Sequence, residues 1–192
     1  IGADYGVVIS ASHNSGEYNG IKVFNSEGYK LGDKEEERIE RCFIHEKTND
    51  FPDIGSYEQD LHLIKRYREF LLNAVEHSFA GKTIVLDGAF GAAHRIAPDV
   101  FRRAGASVIA ANCVDDGLSI NRNCGAVYPH NLARKVLRYK ADMGFAFDGD
   151  ADRLIAVDEH GDVIDGDMIL CALAKYFDAQ GKLPCRTAVG TS

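Results

Sequence analysis

The chain has 192 residues, 45% of them hydrophobic, and its 22 Lys and Arg face 29 Asp and Glu for a net charge of −7. That is enough apolar material for one or two compact units. The acidic balance argues against the clustered basic face of a nucleic-acid binder and against an anionic membrane surface.

No apolar run approaches the ~20 residues needed to span a bilayer. Ile1-Gly2-Ala3-Asp4 lacks the basic start of a signal peptide. The five cysteines, Cys42, Cys113, Cys124, Cys171 and Cys185, form no C-x-x-C pair and read as reduced thiols of a cytoplasmic protein. The chain opens without Met on strand-like residues and closes on Thr187-Ala188-Val189-Gly190-Thr191-Ser192, which reads as a strand cut short. An incomplete chain is therefore expected.

In chain order, Val7–Ser10 and Ile21–Phe24 read as strands, with Asn19-Gly20 offering positive φ for a tight turn before the second. Asp33 with Glu36 resembles a capping box opening a charged helix to about His45. Phe51–Ser56 is a connector, and a long helix is expected over Tyr57–Glu76. After Gly81 the pattern alternates: strand Thr83–Asp87, helix Ala92–Ala104, strand Ser107–Ala111, and an irregular stretch Asp115–Tyr128. A helix over Pro129–Tyr139 starts on a proline suited to its first turn. Strands Met143–Phe147 and Leu154–Val157 and a helix over Gly166–Ala179 complete the series. Such alternation predicts a layered α/β unit with a largely parallel sheet and flanking helices.

Directly after the strand ending at Phe147 comes Asp148-Gly149-Asp150-Ala151-Asp152-Arg153. Carboxylates at every second residue of an extended loop can converge on one hard cation, and three anions this close repel one another without it. Magnesium or calcium is the physical reading. An EF-hand fits partly, with Glu159 at the twelfth position, but Arg153 stands where its sharp turn requires Gly, and strands flank the loop. A second loop, Ser10-Ala11-Ser12-His13-Asn14-Ser15, lies between strands. It lacks a G-x-S-x-G elbow, and His13 is too near in sequence to serve readily as base for Ser12. Ser12 reads as an acceptor and donor of a phosphoryl group, with Lys22 and a metal supplying positive charge. Asp87-Gly88-Ala89-Phe90-Gly91-Ala92 follows a strand as a dinucleotide-binding loop would, but its spacing is not G-x-G-x-x-G.

Together the two loops resemble the α-D-phosphohexomutase family, whose nucleophile loop reads Ser/Thr-x-Ser-His-Asn-Pro and whose metal loop reads Asp-Gly-Asp-Gly/Ala-Asp-Arg. Asn19-Gly20-Ile21-Lys22 matches that family's lysine after an Asn-Gly turn, and Ser15 departs from its usual proline. The likeness covers essentially the whole chain. It implies a phosphohexomutase-like α/β fold of layered mixed sheets. It implies that Ser12 is the phosphoserine and binds Mg²⁺ through its phosphate together with Asp148, Asp150 and Asp152. Lys22, Arg153 and His13 would complete the catalytic set, with Lys22 and His13 moving protons. Residues 1–76 would be the C-terminal part of a first domain, 77–157 a second domain, and 158–192 the start of a third.

Ser119-Ile120-Asn121-Arg122-Asn123-Cys124-Gly125-Ala126 is similar to the Asn-Ile-Asn…Cys-Gly-Ser segment of the family's bacterial phosphoglucosamine mutase branch, with Ser119 and Ala126 as departures. The implied reaction interconverts glucosamine 6-phosphate and glucosamine 1-phosphate through a hexose 1,6-bisphosphate. Phosphomannomutase or phosphoglucomutase activity is the neighbouring alternative. An aspartyl-nucleophile phosphatase and a non-catalytic calcium-binding module are the more distant ones. The implied partners are phosphosugars, without nucleic acid or membrane, and the isolated chain is expected to bind metal without turning over.

Overall fold

The computed structural model describes residues 2–45 and 55–183. The connector expected at Phe51–Ser56 lies mostly, and the strand expected near Thr187–Ser192 wholly, outside them.

An antiparallel hairpin, β1 (Tyr5–Ser10) and β2 (Gly20–Asn25), pairs Ser10 with Gly20 and Tyr5 with Asn25. Asn19-Gly20 is not its turn. Neither residue has positive φ, and Gly20 already belongs to β2. The chain reverses through Ala11–Asn19 instead, with Asn14 N bonded to Ala11 O and Tyr18 N to Ser15 O. In that connection Ser12 carries the positive φ, at 52°.

Helix α1 (Asp33–His45) is capped one residue earlier than expected. The Glu35 and Glu36 amides donate to Gly32 O, and the Glu35 carboxylate receives the Gly32 amide at 3.4 Å. Gly32 is thus the cap, and Glu36 pairs with Lys30 at 3.0 Å. Helix α2 covers only Leu61–Asn73, because Asp60 caps it by accepting the His62 amide at 2.7 Å. Arg68 of α2 ties it to Asp99 at 2.8 Å.

The principal sheet contains β3 (Thr83–Asp87), β4 (Ser107–Ala111), β5 (Met143–Phe147), β6 (Leu154–Asp158) and β7 (Val163–Ile164), in the order β4-β3-β5-β6-β7. Pairings β4-β3-β5 are parallel and β5-β6-β7 antiparallel. The sheet is therefore evenly mixed and not largely parallel. The reason is the connection Asp148–Arg153, far shorter than the dozen or more residues of a parallel crossover. β7 was not expected, being only two residues long.

Helix α3 (Ala93–Arg103) joins β3 to β4, and α4 (Pro129–Tyr139) leads from β4 to β5 on the other side of β3. The two helices cover opposite faces. Ile84 and Leu86 pack with Ala97 and Phe101 on one side, while Val85 packs with Leu132, Ala133 and Val136 on the other. A strand buried on both faces reads as a continuous apolar run, which Ile84-Val85-Leu86 is. Leu132→Ala should destabilise the chain by roughly 3 kcal/mol, since a fully buried leucine leaves a cavity that its neighbours only partly refill. A loss of unfolding free energy in denaturant titration of less than a third of that would place Leu132 outside the core. Helix α5 (Gly166–Ala179) follows β7, with Asp165 as its cap.

Among the described residues Cys42, Cys113, Cys124 and Cys171 are free thiols, and burial pushes the Cys124 thiol up to about 12. No helix among the described residues is long and apolar enough to cross a membrane.

Candidate active site

β3 and β5 run side by side, Asp87 opposite Ala146, so the loops at their carboxyl ends emerge together. This is where open α/β sheets place ligands. After β3 the glycine-rich turn is built on Asp87, which is fully buried. Its carboxylate accepts the Ala89 amide at 3.0 Å and the Asn112 amide group at 3.0 Å, with the Lys135 ammonium 3.8 Å away. Those bonds hold Ala89 and Phe90 at φ 50° and 55°, a conformation costly for residues with a Cβ. The gain is close approach. A Cβ on Gly91 would sit 2.2 Å from Gly149 O, and Ala92 N donates to that oxygen at 2.8 Å. The turn after β3 is therefore a seat for the aspartate loop.

The aspartate loop itself connects β5 to β6. Ala151 at φ 62° curls it, the Ala151 amide bonds Asp148 O, and the Arg153 amide donates to Asp148 Oδ1 at 3.2 Å. As a result one carboxylate oxygen from each of Asp148, Asp150 and Asp152 lies within 4.8 Å of the others. Asp148 is fully buried and Asp150 nearly so, while Asp152 is largely exposed. Asp148 Oδ2 and Asp150 Oδ1 are buried without a hydrogen-bond partner. Burial pushes the Asp148 carboxyl up, the Arg153 amide offsets part of this, and the charges of Asp150 and Asp152 push it further. Burial acts on Asp150 in the same direction. There the Lys22 ammonium, 2.7 Å away, outweighs it and holds the carboxyl below the usual range. Unpartnered buried carboxylate oxygens are expensive. An all-oxygen donor set of this kind suits a hard divalent cation.

Lys22 on β2 reaches across from the hairpin to Asp150 and stands 3.7 Å from Asp152. The Asp150 bond raises its pKa against the opposing pull of burial, so the ammonium is firmly charged. Arg153 Nε lies 3.7 Å from Asp148 and 3.9 Å from Asp152.

Ser12 is held by its backbone. Its amide donates to Ser10 Oγ at 2.9 Å. Its carbonyl accepts two donors, Gly149 N at 3.1 Å and Asn121 Nδ2 at 2.7 Å. A side chain on Gly149 would put its Cβ 2.4 Å from that carbonyl, so only glycine allows the two loops to meet. Ser12 Oγ and His13 Nδ1, on adjacent residues, lie 3.4 Å apart. Among the described residues no carboxylate is hydrogen-bonded to the His13 ring, so a Ser-His-Asp arrangement is not formed.

The structure thus brings together Ser12, Lys22, the three aspartates and Arg153, with His13 on the exposed side of the loop. A cleft of about 570 Å³ opens beside them, lined by Tyr18, Asn19, Phe90, His94, Gly149 and Asp150 among others. Sequence reasoning missed Asn121 and Asp87 as contributors. The signals available were an Asn suited to positive φ at 121 and an acid at the end of an apolar strand at 87.

The joined serine and aspartate loops are the pair on which the resemblance to the phosphohexomutases rests. Residues 1–50 match the family model of phosphoglucomutase/phosphomannomutase α/β/α domain I, and residues 65–161 match that of α/β/α domain II. The chain belongs to this family. Among curated relatives it is 46% identical to the phosphoglucosamine mutase of Alkaliphilus oremlandii over 193 residues, covering 98% of this chain and 43% of that protein. It is 47% identical to the phosphoglucosamine mutase of Clostridium beijerinckii, with 99% and 43% covered. A solved phosphoglucomutase/phosphomannomutase family protein from Burkholderia thailandensis superposes with a TM-score of 0.76 at 28% identity, covering 93% of this chain and 39% of that one. The chain spans about 43% of the length of the curated relatives it matches.

Proposed function

We propose that this chain is the nucleophile-bearing and metal-bearing part of a cytoplasmic phosphoglucosamine mutase. That enzyme would interconvert glucosamine 6-phosphate and glucosamine 1-phosphate by way of the 1,6-bisphosphate. The observation that carries the reading is the bond from Gly149 N to Ser12 O, which seats the serine directly on the loop of Asp148, Asp150 and Asp152. The choice of sugar is supported by the likeness to proteins named as phosphoglucosamine mutases.

Mg²⁺ held by Asp148, Asp150, Asp152 and an oxygen of phosphorylated Ser12 would offset negative charge on the transferring group. The rest falls to side chains. In the first half-reaction the bond from phosphorus to Ser12 Oγ breaks as one forms to the sugar's O1, and the O1 proton ends on Ser12 Oγ. After the bisphosphate turns around, phosphorus leaves O6 for Ser12 Oγ, and that proton passes to O6. In this reading Lys22 and His13 would carry it, His13 from beside Oγ and Lys22 as a charged acid. Arg153 contributes fixed positive potential at the aspartate loop. Residues 1–76 and 77–157 are proposed to belong to separate domains that meet at this site, with residues 158–192 leading toward a third.

Incubating the full-length parent with glucose 1,6-bisphosphate and mapping its peptides by mass should place the phosphoryl group on Ser12. Label on Asp148 with Ser12 unmodified would make the protein an aspartyl-nucleophile enzyme instead.

A further inference from the structure

We propose that Asn121 is a positioning residue of this site, fixing the Ser12 loop against the aspartate loop so that Ser12 Oγ is presented for phosphoryl transfer. The proposal rests on the phosphoserine reading above.

Asn121 is 6% exposed and joins three loops that are remote in sequence. Its backbone amide donates to Ala89 O at 3.0 Å in the glycine-rich turn. Its side-chain amide donates to Ser12 O at 2.7 Å and to Asn14 O at 2.8 Å, so the two bonds bracket the turn that carries the nucleophile. The group also lies against the metal loop, since a Cβ on Gly149 would stand 2.9 Å from Asn121 Nδ2. The orientation of the amide follows from these partners: turned over, its oxygen would face two carbonyl oxygens. Asn121 Oδ1 remains buried without a partner. An amide that leaves its acceptor unsatisfied in order to place both donor bonds serves those bonds first.

What those bonds fix is the torsion of Ser12. At φ 52° a serine has no intrinsic reason to stay, and its own side chain offers only the distant His13 contact. Its carbonyl is pinned by Gly149 and Asn121. With Asn121 gone, a single 3.1 Å bond would tie the Ser12 carbonyl to the aspartate loop, and Ser12 Oγ would swing with the relaxing backbone. A displacement of about 1 Å at a reacting atom costs on the order of 100-fold in rate.

The test uses the full-length parent and its Asn121→Gly variant. Glycine accepts φ 57° without strain, so this substitution removes both donor bonds and leaves the backbone free to keep its shape. The readouts are single-turnover phosphorylation of Ser12 by glucose 1,6-bisphosphate, the dissociation constant of that bisphosphate, and Mg²⁺ affinity. The expected result is a phosphorylation rate lower by on the order of 100-fold. The two binding constants should stay within about threefold of the parent, a loss confined to the reacting geometry. If Asn121→Gly loses its cooperative unfolding transition, Asn121→Ala, which removes both donors without burying a charge against the two carbonyls, takes its place with the same expectation. A parental phosphorylation rate in the variant overturns the proposal, as does a rate loss matched by equal losses of both affinities. A parent that takes no label on Ser12 overturns the phosphoserine reading and this proposal with it.

Discussion

Replacing Ser12 by alanine in the full-length parent should lower mutase turnover by on the order of 10⁴-fold or more while shifting stability by less than about 1 kcal/mol. The two halves of this expectation come from different atoms of one residue. The proposed phosphoryl transfer needs Oγ, for which no neighbour substitutes: His13 is exposed, and Ser10 Oγ is occupied by the Ser12 amide. The fold needs the Ser12 backbone, whose amide and carbonyl bonds to Ser10, Gly149 and Asn121 are unchanged in alanine. Positive φ penalises a Cβ, but serine already has one, so alanine adds no strain there. Coupled assay of turnover beside a denaturant titration separates the effects. Residual turnover above a few per cent would assign the phosphoryl carrier to another group. Wild-type turnover lost together with cooperative unfolding would make Ser12 a structural residue.

The parts of the molecule legible in sequence are those set by local chemistry. Strands Thr83–Asp87, Ser107–Ala111 and Met143–Phe147 and helices Pro129–Tyr139 and Gly166–Ala179 stand where apolar runs, proline and capping residues place them. The aspartate loop was legible because three carboxylates at alternate positions have few other uses. Where the reading went astray, long-range contacts outweighed local preference. Asn19-Gly20 suits a tight turn, yet the reversal moved to Ala11–Asn19, whose carbonyls at Ser12 and Asn14 are held by Asn121 more than a hundred residues away. The mixed sheet was implicit in the shortness of Asp148–Arg153, a length that only an antiparallel connection accommodates. Asp87 and Asn121 were not legible as site residues. Each is a single polar side chain whose value lies in partners brought by the fold, Asn112 and Lys135 in one case and the serine loop in the other.

Asp150→Asn should weaken Mg²⁺ binding by on the order of 100-fold while leaving the metal-free fold nearly unchanged. In the metal-free chain two consequences of the substitution oppose each other. It breaks the Lys22 ion pair at 2.7 Å, a partly exposed contact worth about 0–1 kcal/mol. It also removes a negative charge beside buried Asp148, whose carboxyl that charge pushes up. With the cation present nothing compensates for the lost anionic ligand. Stabilisation by a bound ion follows its concentration relative to the dissociation constant, so a concentration 100-fold above the parent's constant adds about 2.7 kcal/mol. A variant binding 100-fold more weakly gains only about 0.4 kcal/mol at that concentration. Thermal unfolding with and without Mg²⁺ reads this difference directly. The pH dependence has a defined sign. Asp148 has a raised pKa in the fold, so its own contribution to metal-free stability is present below the unfolded value and lost as pH rises through the raised one. Asp150 has a lowered pKa, and its contribution is present above the unfolded value and lost as pH falls through the lowered one. Cation binding at the proposed site would require both carboxylates ionised. Mg²⁺ affinity should therefore begin to fall, on acidification, at the raised pKa of Asp148, above the ordinary aspartate range. Equal Mg²⁺-induced stabilisation in parent and Asp150→Asn would remove Asp150 from the metal site.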